Sequence, residues 1–157
     1  MKIISRCFLF LLMLAASSAQ ADTGPSEPNA QLTPEQVVRI VIEALKTNDP
    51  SKDDDGIATV FEFASPGNKS STGPLPRFTK MIKRGFGHML NHLDSEFGPM
   101  EIEEHIALQA VWLTTRSGQQ VGYVFQIGKQ VGGEFDNMWM TESVWPIGER
   151  KPPGQSI

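Results

Sequence analysis

The fold is decided by one stretch in the C-terminal half of the chain, residues 106–130, which reads IALQAVWLTTRSGQQVGYVFQIGKQ. Residues 106–115 are apolar at both odd and even positions, as in the central strand of a sheet. After the turn RSGQ, residues 120–130 alternate in polarity, with Tyr123 and Phe125 on the same face. The stretch therefore predicts a β-hairpin at the centre of an antiparallel sheet.

Two further strands are predicted, one on each side of this hairpin in the sequence. Residues 90–104 mix apolar and polar side chains, and Gly98-Pro99 in their middle predicts a break or bulge. Residues 137–145 predict the last strand, on which strict alternation places Trp139 and Trp145 on the same face. The second half of the chain thus predicts four strands joined by short connections.

The first half of the folded region predicts three helices. The first begins after Thr33, where Gln36 completes a capping box, and an apolar stripe at helical spacing follows. The others are predicted over residues 56–64 and 74–84. Helices followed by strands are typical of the α+β class, so we expect three N-terminal helices packed on one face of a four-stranded antiparallel sheet.

The N-terminus has the pattern of a secretory signal peptide over residues 1–21. Lys2 and Arg6 are followed by an apolar run, and Ala19 and Ala21 are the small residues that signal peptidase requires. The apolar run is shorter than the roughly 20 residues of a membrane-spanning helix. We therefore expect cleavage, export to the periplasm or secretion, and no membrane attachment afterwards.

The remaining chain is predicted to form one domain. Residues 22–31 are polar, contain two prolines and predict a flexible linker. Residues 32–147 hold all the periodic segments and predict a single α+β domain. Residues 148–157 (GERKPPGQSI) predict a flexible tail.

Charge and cysteine content exclude several classes of function. The formal net charge is −4 and becomes −6 when the two cations Lys2 and Arg6 are removed with the signal. An acidic protein is a poor general ligand for nucleic acid, so no nucleic-acid partner is expected. The only cysteine, Cys7, lies in the predicted signal, and the mature chain therefore has no disulfide or thiolate site.

Several short motifs occur in an order and spacing that match a known family: residues 63–68 (FASPGN), Thr72-Gly73-Pro74, Arg77-Phe78, Met81, Met89–His92, Glu96 and residues 139–144 (WMTESV). In these motifs the chain resembles the family named domain of unknown function 4864, over nearly all of residues 32–147. The resemblance implies a fold similar to nuclear transport factor two and the ketosteroid isomerases, a curved, cone-like sheet around a long helix with a conical cavity. It implies no activity and no catalytic residue.

One group of residues suggests catalysis. If residues 90–97 form a strand, His92, Asp94 and Glu96 lie on one face, and a histidine beside a carboxylate is suited to general base catalysis. This pattern favours a cofactor-free lyase, isomerase or hydrolase. The alternative is that these three side chains form the solvated face of a half-buried strand.

A second group suggests ligand binding. Tyr123, Phe125 and Trp139 supply aromatic walls for a pocket that binds a small apolar molecule, or they form an ordinary core. Arg77 is suited to receive an anionic group, or else it pairs with a surface acid such as Glu62.

No metal or cofactor is predicted. His88 and His92 are spaced for two ligands only on a helix, and the EF-hand-like segment 51–62 has serine instead of aspartate at its first position. The leading hypothesis is an exported domain that binds a small ligand or acts as an accessory module. The alternatives are the enzyme that uses His92 and a structural module that forms a homodimer through an apolar patch around Trp139 and Trp145.

Overall fold

The computed structural model describes residues 27–150, so the predicted signal peptide at residues 1–21 lies outside the described residues. Helices occupy the first half of this range and strands the second, which confirms the α+β class. The helices are α1 (Pro34–Lys46), α2 (Asp55–Glu62), α3 (Pro66–Thr72) and α4 (Leu75–Gly85). The strands are β1 (Asp94–Glu103), β2 (Ile106–Thr114), β3 (Gln120–Lys129) and β4 (Trp139–Arg150).

Helix α3 is an addition to the three helices that the sequence predicted. It lies between the two helices that are predicted over residues 56–64 and 74–84. Ser65 caps it, since the Ser65 hydroxyl accepts a hydrogen bond from the backbone N–H of Asn68 at 3.1 Å, and Pro66 occupies the first helical position. None of its residues is fully buried, which explains why no apolar periodicity revealed it.

Helix α1 begins as the sequence predicted. The N–H of Gln36 donates to the Thr33 hydroxyl at 3.3 Å, and the N–H of Thr33 donates to the Gln36 side chain at 2.8 Å, which completes the capping box. Its apolar stripe is buried, with Val37, Val38, Val41, Ile42 and Leu45 almost inaccessible to solvent. The stripe packs on the sheet through β2, β3 and β4.

The four strands form one antiparallel sheet in sequential order. The register of β1 on β2 shifts between Phe97 and Met100, at the predicted Gly98-Pro99 break. Strand β4 pairs with β3 as far as Arg150, so the first three residues of the predicted tail belong to the sheet. None of the helices within residues 27–150 has the length and apolar character needed to cross a membrane.

One face of the sheet is covered by the helices, and a bulge decides which tryptophan lies on it. Thr141 pairs with Ile127 and Ser143 with Gln126, so Glu142 is an extra residue on β4. The extra residue reverses the alternation. Trp139 therefore lies on the face of Ile127, against the core, whereas Trp145 pairs with Val124 on the opposite face. The prediction that both tryptophans share a face, and with it a common exposed patch, is wrong.

Candidate functional site

A partly open cavity of about 370 Å³ lies between the helices and the covered face of the sheet. Its walls are mostly apolar. Side chains from α1, α2, α4, the following turn and the sheet contribute to them, including Leu45, Val60, Phe78, Met89 and Phe125. The apolar stripes of three helices and the inner face of β3 converge here. The cavity is therefore lined by side chains of the hydrophobic core.

The polar side of the cavity comes from two segments, α3 and the bulged part of β4. Asn68, Ser71 and Thr72 of α3 line it, together with Thr141 and Glu142 of β4. Among the described residues that line the cavity, Glu142 is the only one with an ionisable side chain. This sparse set of polar groups on an apolar surface is typical of small-molecule sites.

Backbone hydrogen bonds hold these two segments together. After α2 the chain pairs with the outer edge of β4: the N–H of Thr141 donates to the carbonyl of Phe63 at 2.8 Å, and the N–H of Ser65 donates to the carbonyl of Thr141 at 2.9 Å. The side-chain amide of Asn68 donates to the carbonyls of Thr141 and Glu142 at 3.3 Å and 3.0 Å. The start of α3 is therefore fixed to the cavity wall.

Glu142 is held at both carboxylate oxygens. Its Oε2 accepts a hydrogen bond from the Ser65 hydroxyl at 2.7 Å, and its Oε1 accepts one from the Gln130 amide at 2.8 Å. The space for this carboxylate depends on Gly128, where an added Cβ would lie 2.6 Å from Oε1. The bulge, the glycine and the two donors thus fix one side-chain orientation.

Thr141, which lines the cavity, has a buried hydroxyl without a hydrogen-bond partner among the described residues. The residue is only 3 % exposed. A buried hydroxyl without a partner costs about 1–3 kcal/mol. Because this oxygen is inaccessible to solvent, it lies within the packing behind the cavity surface and not in the open space of the cavity.

A basic cleft adjoins the cavity. It has a volume of about 400 Å³ and is lined by Arg77, Lys80 and Arg84 of α4 together with Ser71, Thr72 and Met81. The last three residues also line the cavity, so the two spaces meet there. Spacings of three and four residues place the three cations on one face of α4.

Residues 27–152 match the family described as Domain of unknown function (DUF4864). The chain belongs to this family. No curated protein and no solved structure matches the chain. Two of the motifs with which this DUF4864 domain resembles its family, residues 63–68 and 139–144, are the segments that meet at the polar side of the cavity.

The predicted catalytic group is not assembled in the DUF4864 domain. Strand β1 begins at Asp94, and His92 precedes it as a buried residue, 2 % exposed, outside the residues that line the cavity. Its Nδ1 lies 2.7 Å from the carbonyl oxygen of Met89, and burial lowers the pKa of the imidazole. Asp94 and Glu96 are exposed, and Glu96 forms an ion pair with Arg150. The premise of one shared strand face is wrong, because the strand begins at Asp94, four residues after its predicted start at residue 90.

Of the four predicted ligand-binding residues, two line the cavity or the cleft and two do not. Phe125 lines the cavity and Arg77 lines the basic cleft. Tyr123 is buried behind the cavity wall, with its ring centroid 6.1 Å from that of Phe86, and burial raises the pKa of its hydroxyl. Trp139 packs against the core beyond the cavity. Within residues 27–150, no three His, Cys, Asp or Glu side chains lie close enough together to hold a metal ion.

Proposed function

We propose that this DUF4864 domain binds a small, largely apolar molecule in the cavity between its helices and its sheet. The volume of about 370 Å³ falls at the small end of the range of about 300–1000 Å³ that ligand sites occupy. Binding a molecule there would remove the apolar walls from contact with water, which is favourable in proportion to the area covered.

The observation that carries the proposal is the cavity itself, an apolar space with a few polar side chains, Asn68, Ser71 and Thr72, along one side. A bound molecule would place its apolar body against the apolar walls and a polar atom near these side chains. The ligand class is therefore an apolar body with at least one hydrogen-bonding atom.

The proposal agrees with what the sequence predicted of the chain's place in the cell. The signal pattern at residues 1–21 favours an exported protein, in the periplasm or secreted, that carries a ligand or assists another protein. The helix α1 across one sheet face, with a cavity between them, supports the cone-like fold that the resemblance implies.

The test is to fill the cavity and measure both stability and binding. Val144 is half-buried and lines the cavity, so Val144→Phe should maintain or raise the melting temperature. The control is Val111→Phe, because Val111 is fully buried and does not line the cavity, and this change should lower the melting temperature by overpacking.

Binding is measured by isothermal titration calorimetry with decanol as the probe, and native mass spectrometry of the purified protein reports any retained molecule. We expect decanol to bind the unaltered protein and Val144→Phe to weaken it at least tenfold, while Val131→Phe on the exposed surface has no effect. The proposal is wrong if no apolar probe binds, or if Val144→Phe destabilises the protein as Val111→Phe does.

A further inference from the structure

The basic cleft and the apolar cavity are neighbouring spaces of different character. Ser71, Thr72 and Met81 line both, so a molecule that extends from the cavity past these residues would reach the cations of α4. The cavity is apolar and the cleft is positively charged.

The positive charge of the cleft is not neutralised by the elements that form it. Helices α3 and α4 contain no acidic residue. Among the described residues, Arg77, Lys80 and Arg84 form no ion pair, whereas Lys83 on another face of α4 pairs with Asp54 at 2.6 Å. The cleft is therefore a local concentration of positive charge on an acidic protein of net charge −4.

The chain geometry places Arg77 at the boundary between α3 and α4. Gly73 has a φ of +83°, and a Cβ at this position would lie 2.8 Å from Arg77 Cδ. The glycine thus permits both the sharp turn after α3 and the close passage of the arginine side chain across it.

The acidic residue that lines the cavity turns its carboxylate away from it, because Oε1 lies against Gly128 on the sheet face opposite Phe125. Glu142 belongs to β4, and its two oxygens already accept hydrogen bonds from Ser65 and Gln130. A negatively charged group on a ligand would therefore be attracted to the α4 side of the space, and its apolar part would point toward the core.

We infer that the ligand is an amphipathic anion, with an apolar body in the cavity and one anionic head group against Arg77, Lys80 and Arg84. This inference rests on the proposed function, because the apolar body needs the cavity. The head group is a carboxylate or a comparable oxyanion, since guanidinium groups donate two parallel hydrogen bonds to such groups.

The experiment compares decanoate, decanol and acetate by isothermal titration calorimetry with the purified protein at low and high salt. At low salt we expect decanoate to bind at least about tenfold more tightly than decanol, because its carboxylate forms charge-assisted hydrogen bonds with the cations of the cleft. High salt should reduce this difference, and acetate alone should bind far more weakly than either.

The decisive variant is Arg77→Gln/Lys80→Gln/Arg84→Gln. It should lower the affinity for decanoate to that for decanol, and an unchanged affinity for decanol shows that the cavity is intact. A matched control, Lys52→Gln/Arg116→Gln/Lys129→Gln, removes three cations outside the cleft and should leave the preference for decanoate unchanged.

The other outcomes separate this inference from the proposed function. Equal affinities for decanoate and decanol, or a preference that survives the triple substitution in α4, overturn the amphipathic anion and leave the apolar site standing. If acetate binds as tightly as decanoate, or if Val144→Phe leaves decanoate binding unchanged, the cleft is a surface anion site that does not involve the cavity. Either result also overturns the inference of an amphipathic anion. Failure of all probes overturns both.

Discussion

Gly128 and Glu142 face each other on neighbouring strands so closely that a Cβ on the glycine would lie 2.6 Å from the carboxylate oxygen Oε1. The glycine provides the space in which Glu142 reaches its two hydrogen-bond donors. Four features of the site, the bulge, Gly128, Ser65 and Gln130, thus determine one carboxylate position.

The first prediction concerns this close approach. Gly128→Ala should lower the free energy of unfolding by about 1–3 kcal/mol, because the added methyl group displaces the Glu142 side chain from its donors. Urea denaturation measures the change. Gly85→Ala is the control, since a Cβ at Gly85 meets no atom within 4 Å, and it should be neutral or slightly stabilising. Equal effects of the two changes would refute the steric argument.

The second prediction concerns Ser65, whose hydroxyl caps α3 and donates to Glu142. Ser65→Ala should cost about 2 kcal/mol of unfolding free energy, since it removes a helix cap and a hydrogen bond to a charged group. Ser70→Ala, on the exposed side of the same helix, should change stability by less than about 0.5 kcal/mol. A loss at Ser65 no larger than that at Ser70 would mean that the hydroxyl does not fasten α3 to β4.

The third prediction concerns pH and His92. Burial lowers the pKa of this imidazole below its usual 6.5, while Lys46 opposes and Glu43 and Asp94 favour its charged form. As the pH falls, this imidazole therefore takes up a proton in the unfolded chain at a higher pH than it does in the folded chain. Stability from the neutral histidine is complete above pH 6.5 and falls below it, by at most about 1.4 kcal/mol per pH unit.

Denaturation curves at pH 7.5, 6.5 and 5.5 measure this loss. His92→Asn keeps a donor for the Met89 carbonyl and should flatten the dependence over this range, whereas His105→Asn at an exposed site should not. If both variants lose stability with acid as the unaltered protein does, His92 is not the group responsible.

The fourth prediction concerns the ion pair that crosses the outer face of the sheet. Arg150 of β4 lies over the Trp112 ring, with Cζ 4.6 Å from its centroid, and pairs with Glu96 of β1. Glu96→Gln should cost less than about 0.5 kcal/mol, because the Glu96 side chain is 66 % exposed. Arg150→Ala should cost about 1 kcal/mol, since it also removes the contact with the aromatic ring.

Thermal and urea unfolding of these variants measure the difference, and Arg150→Lys is the matched control that keeps the charge but loses the planar group. The lysine variant should fall between the unaltered protein and Arg150→Ala. A loss from Glu96→Gln as large as that from Arg150→Ala would show that the ion pair, and not the stacking, dominates, because both changes remove the ion pair.

Local patterns predicted those parts of the fold that local interactions determine. The capping box at Thr33 and the break at Gly98-Pro99 are properties of a few adjacent residues, and both occur as expected. The bulge at Glu142 depends on donors 77 and 12 residues away in sequence, Ser65 and Gln130, so strict alternation along β4 misplaced Trp139 and Trp145.

The candidate site was predicted only in part for the same reason. Phe125 and Arg77 were identified because an aromatic residue on a strand and an arginine beside a glycine turn are local signals. Thr141 and Glu142 gave no such signal, since their roles arise only where α3 meets β4. The Ser65-Pro66 pair does carry one, since these residues are the cap and the first residue of α3.

The pairing of residues 63–65 with β4 has a consequence for the sheet as a whole. An edge strand presents free N–H and C=O groups that can recruit strands from other chains and start aggregation. The segment of Phe63 and Ser65 occupies such groups at Thr141 on one edge. On the other edge, β1 carries a bulge, a proline and several carboxylates, which discourage a further strand. Each edge of the sheet thus carries a local obstacle to strand addition, at Thr141 on β4 and at the bulge, the proline and the carboxylates on β1.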